Sequence, residues 1–181
     1  MRQTILSVVL DVDPQSASRL SDLIEEFKRQ QEEAGAETYG LLKDGVPSLH
    51  FLSMSVFPGF HYDPIFVIEA NFDGLPDAFW VHVEATLADH LRPMLRCCKR
   101  PSDNDGPAYD AVTKPGSREP VGAYLARRTL RPSVFHQGNR GLERDRILRE
   151  RDLFLAIRDE LAQASPTAPD PTDPLASASW C

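Results

Sequence analysis
Two apolar runs lying close together restrict the fold of this chain more than any other feature. Residues 48–58 read SLHFLSMSVFP and residues 64–72 read PIFVIEANF, with only Gly59-Phe60-His61-Tyr62-Asp63 between them. Both runs are rich in aromatic and β-branched residues that alternate with polar ones, which is the signature of strands joined in a hairpin. In the first run His50, Leu52, Met54 and Val56 are expected on one face, with Leu49, Phe51, Ser53, Ser55 and Phe57 on the other. In the second, Phe66, Ile68, Ala70 and Phe72 oppose Ile65, Val67, Glu69 and Asn71.

The rest of the chain arranges itself around this hairpin. Thr4 to Val12 alternates as a strand, with Leu6, Val8, Leu10 and Val12 facing one way and Ile5, Ser7, Val9 and Asp11 the other. Asp13-Pro14 offers a helix start, with a capping carboxylate followed by a residue already fixed at helical φ. Leu20, Leu23, Ile24 and Phe27 then form an apolar stripe at helical spacing. Residues 35–47 read as a loop. Behind the hairpin, Phe79, Val83, Leu87, Leu91 and Met94 or Leu95 mark a second amphipathic helix, which Pro93 should end or kink. Residues 98–131 are predicted to be an irregular insertion with a short helix after Pro120. Residues 133–137 (SVFHQ) are predicted as a fourth strand, followed by a charged last helix bearing Ile147, Phe154, Ile157 and Leu161. The tail 164–181 is low in complexity and predicted to be disordered.

These elements give an α+β domain over 1–163: a ferredoxin-like β-α-β-β-α-β order with a four-stranded antiparallel sheet, an irregular insertion and an extra C-terminal helix. Helices are expected on one sheet face. The other face mixes Ile5, Val9, Ile65 and Val67 with Asp11, Glu69 and Asn71, a composition suited to covering by a second subunit, another domain or the last helix.

Charge and cysteine usage narrow the function classes. A net charge of −7 argues against nucleic-acid binding through phosphates. The charge is uneven, for residues 98–138 carry 7 basic and 4 acidic side chains. Cys97 and Cys98 are adjacent and Cys181 stands alone, so no disulfide framework is implied, and a reducing cytoplasm is expected. No apolar run reaches the roughly 18 residues that a membrane helix needs, which predicts a soluble chain without a membrane partner.

The strand LHFLSMSVFP, the strand end IFVIEANFDGLPDAF and the segment SVFHQGNRGLERDRILRERDLFLAI resemble bacterial ferredoxin-like proteins of uncharacterised function, of the dimeric α+β barrel type. The resemblance covers residues 4–163. It implies a sheet that packs on a second copy. The wider group includes haem-dependent peroxidases and monooxygenases as well as non-catalytic regulatory domains, so fold analogy does not choose a chemistry.

Each candidate residue also has a plainer structural role. His82-Val83-Glu84 matches half of a zinc deaminase signature, but the P-C-x-x-C half is missing, and no metal site is expected. His90 beside the second helix's stripe is placed either as an axial haem ligand or as an ordinary packed histidine. His50 or His136, if brought near Glu69 or Asp11, would form a base-carboxylate pair; a strand histidine satisfied by packing is the commoner case. His136, Asn139 and Arg140, before the last helix, together with Asn71 and Asp11, are the expected ligand contacts for a small anionic or apolar molecule. The aromatic loop at Phe60, His61 and Tyr62 suggests a subunit contact. The sequence therefore predicts a non-catalytic binding or assembly module that self-associates or packs on another domain. The alternative is a dimeric α+β barrel enzyme that uses haem.

Overall fold
The computed structural model describes residues 3–33, 40–59, 61–132 and 142–164. The chain divides into two compact units, Met1–Arg144 and Asp145–Cys181.

The first unit is built on β1 (Gln3–Asp11), β2 (Leu49–Phe57), β3 (Ile65–Asp73) and a two-residue β4 (Thr129–Leu130). All neighbours are antiparallel and the order across the sheet is β2-β3-β1-β4. β3 therefore splits the β1-to-β2 connection. Cross-strand partners share a face, so the register Leu6↔Ala70, Val8↔Ile68, Leu10↔Phe66 and Met54↔Ile68 collects the apolar side chains on one side. That side is covered by α1 (Ala17–Glu33) and α3 (Pro76–Leu95), whose Leu20, Phe27, Phe79, Val83, Leu87 and Leu91 join the strands in one buried core. Phe72 stacks on Phe79 with ring centroids 4.1 Å apart, tying the end of β3 to the first turn of α3.

Local chemistry explains the element boundaries. Asp13 accepts a hydrogen bond from the Gln15 N–H at 3.0 Å and opens a 3-10 turn, Pro14–Ser16, that feeds into α1. Pro93 does not break α3 early. The helix runs two residues further, to Leu95, and Tyr109 closes off its end, its hydroxyl 2.6 Å from the Cys98 carbonyl and 3.1 Å from that of Leu95. Such capping satisfies acceptors that a helix terminus leaves without partners.

Three expectations need correction. The loop expected over 35–47 contains a short helix, α2 (Gly40–Gly45), whose Gly45 approaches Thr86 of α3. The irregular stretch before Pro120 holds a helix, α4 (Gly106–Thr113), while the short helix expected after Pro120 is α5 (Val121–Arg127). These helices add Tyr109, Val112, Val121, Tyr124 and Leu125 to the core, so this part of the chain is structural rather than peripheral. Strict alternation also fails at the start of β2. Leu49 pairs with Phe72 and Phe51 with Asn71, leaving His50 as the extra residue of a β-bulge. Leu49 thus faces the core, and His50 leaves the row of Leu52, Met54 and Val56.

The predicted fourth strand over 133–137 and the tail over 164–181 lie outside the described residues, apart from Ala164 at the end of the last helix. The second unit's described element is that helix, α6 (Arg144–Ala164). Its Leu153, Phe154, Ile157 and Leu161 are exposed. Among the described residues no helix is long and apolar enough to cross a membrane.

Candidate functional site
The first unit has a cleft of about 760 Å3 where β1 begins and β3 ends. One wall is Gln3, Thr4 and Ile5 of β1; another is Asp73 with Gly74, Leu75 and Pro76, which carry the chain into α3. Ala78 and His82 of α3, Pro47 and Ser48 before β2, and Arg131 and Pro132 after β4 complete it. Most of this surface is carbon. A second pocket of about 290 Å3, between α4 and α5, has Glu119 and Arg127 as its charged lining residues.

Sequence and geometry meet at the end of β3. The Thr4 hydroxyl donates to the Gly74 carbonyl at 2.7 Å, which holds the turn that starts α3. Gly74 has φ 109°, a conformation that glycine adopts without steric cost. Leu75 is the helix N-cap and has no side chain able to bond the first-turn N–H groups, while Pro76 fixes the first helical φ.

Beside the cleft, the bulge turns His50 toward Asp73. His50 Nε2 lies 3.0 Å from Asp73 Oδ2, and the two side chains are 12% and 10% exposed. The contact falls outside hydrogen-bonding angles, leaving Nε2 without a hydrogen-bond partner among the described residues. Asp73 Oδ2 also accepts the Arg144 N–H at 2.7 Å, and the Arg144 guanidinium donates to the Pro47 carbonyl. The carboxylate is thus engaged from two sides, and the pair joins β2, β3 and residue 144.

The other sequence candidates are dispersed. Asp11 and Glu69 are exposed on the sheet face opposite α1 and α3, with Ser53 Oγ 3.5 Å from the Glu69 carboxylate. Asn71 is half-buried on that face and its Oδ1 has no hydrogen-bond partner among the described residues. His90 packs between α1 and α3 with its ring 4.9 Å from that of Phe27. His136, Asn139 and Arg140 lie outside the described residues, as does Phe60. The H-x-E pair is split by the helix. His82 Nδ1 sits 2.9 Å from the Ala78 carbonyl, whereas Glu84 accepts the Gly122 N–H at 2.7 Å and pairs with Arg92. Among the described residues no three His, Cys, Asp or Glu side chains converge as a metal-binding group.

Burial pushes the Cys98 thiol up to about 12 and also raises that of Cys97, so both stay protonated, weakly nucleophilic packing groups at neutral pH.

Sequence reasoning overlooked Thr4 and Arg131, and it ranked Asp73 as a ligand-loop residue only second. Asp73 reads first as part of a turn, and the bulge that brings His50 to it has no local signature. The chain shows no match to a protein family, to a curated protein or to a solved structure, so functional inference rests on its own residues.

Proposed function
We propose that the chain is a non-catalytic binding and assembly module of ferredoxin-like fold, which pairs with a second copy of itself through the sheet face opposite α1 and α3. Placement of β3 between β1 and β2, with α1 and α3 on one side, supports the split βαβ reading. The observation that carries the assembly reading is the character of the open face. Phe51 and Phe57 are 54% and 50% exposed, Val9 is exposed, and Ile5, Ile65 and Val67 are half-buried between them. Exposed apolar side chains gathered on one sheet face, on either side of a polar row, mark an interaction site.

A second copy suits this face because Phe51 and Phe57 sit at opposite ends of one strand, flanking the polar row Ser7, Glu69 and Ser53. A two-fold axis lying between the two sheets, parallel to them and perpendicular to the strands, brings the Phe51 end of one copy over the Phe57 end of the other, the self-complementary arrangement of a two-fold dimer. Sedimentation velocity is the test. A dimer that becomes monomeric in Phe51→Ser/Phe57→Ser, with an unchanged thermal transition, supports the reading; a monomer at all accessible concentrations sinks it.

A further inference from the structure
We propose that the cleft at the β1–β3 end of the sheet is a binding site for an amphipathic monocarboxylate. A compact aliphatic or aromatic body would lie against Ile5, Pro47, Leu75 and Pro132, with the carboxylate at Arg131. This goes beyond self-association and does not depend on it. The volume of about 760 Å3 falls within the range of clefts that hold small organic ligands. The wall is mainly carbon, so most of the contact must come from an apolar body.

The ligand's charge follows from which groups already have partners. Asp73 is nearly buried, takes the Arg144 N–H and lies against His50. Arg131, at the opposite rim, is exposed and has no hydrogen bond or ion pair among the described residues. The unmet charge in the cleft is positive, on a planar fork that matches a carboxylate with two parallel N–H donors. The first turn of α3, with no capping side chain on Leu75, adds a favourable field at the same wall. One guanidinium suits one negative charge. A phosphate dianion would bring a second charge toward Asp73 and leave the apolar wall unused.

The test is a ligand-observed NMR titration of the full chain with octanoate, octylammonium and octan-1-ol at fixed ionic strength. Octanoate is expected to bind most tightly of the three. Arg131→Gln should weaken octanoate about tenfold, the loss of one charge-assisted pair, and leave octan-1-ol unchanged. Ala78→Trp, an exposed helical position on the cleft wall, should remove both ligands by filling the space. Tightest binding of octylammonium would assign recognition to Asp73 and overturn the proposal. So would octanoate affinity that changes less than twofold in Arg131→Gln, or no binding by any of the three to protein whose thermal transition shows it folded. Neither Phe51 nor Phe57 lines the cleft, so loss of the dimer with octanoate binding retained separates this proposal from the assembly reading.

Discussion

Gly122 shows how tightly single positions are constrained. A Cβ there would lie 2.5 Å from the Trp80 carbonyl oxygen, a backbone atom that moves only if α3 and α5 part. Gly122→Ala is expected to destabilise the fold by about 1–3 kcal/mol, read as a lower urea midpoint at unchanged slope. Gly116→Ala is the contrast. Its φ is 71° with open space around it, so only the conformational penalty of roughly 1 kcal/mol applies. Buried ionisable groups make a second residue-scale prediction. Burial pushes the phenols of Tyr109 and Tyr124 up to about 12 from an ordinary 10.0, and the Cys98 thiol up to about 12 from 9.0. Folded-state values above unfolded ones mean that the native chain holds these protons more firmly. Their contribution is complete below pH 9 and is lost as pH rises toward 12. Stability measured by urea titration should fall over that alkaline window, and tyrosinate absorbance should lag behind that of the unfolded chain.

At the scale of elements, α4 and α5 show where the sequence was legible and where it was not. The strands and the two long helices announce themselves through period, because each presents one apolar face to one large partner. Residues 98–131 are crowded with Pro, Gly, Ser and Asp, and their few apolar side chains sit on helices of eight and seven residues, too short to establish a period. What holds this segment is long-range. Arg92 donates to the Val112 and Glu119 carbonyls at 3.0 and 2.6 Å and pairs with Glu84, which in turn takes the Gly122 N–H. Leu125 is fully buried, so Leu125→Ala should cost about 2–5 kcal/mol by the transfer and cavity terms together. Arg92→Met should raise amide exchange across 106–127 before it alters exchange in β1 or β3, since it frees two carbonyls that belong to that segment alone. The candidate site was less legible for a related reason. A one-residue bulge at His50 shifts what every earlier position in β2 faces, and hairpin alternation gives no warning of it.

At the scale of the whole molecule, the sheet's edges set the risk of aggregation. The two edges differ. β4 covers Ser7 and Val8 of β1. Among the described residues β2, at the other edge, pairs only with β3. From Leu49 to Phe57 it contains no lysine, glutamate, aspartate, arginine, proline or glycine. Chains that keep such an edge safe usually place a charge or a proline within it. Here the nine residues are apolar or neutral and rich in β-formers, the profile of a segment that stacks into cross-β ladders once released. Refolding yield should therefore drop steeply with protein concentration, the insoluble fraction should stain as amyloid, and Ser53→Lys should suppress that fibril pathway by acting as a gatekeeper.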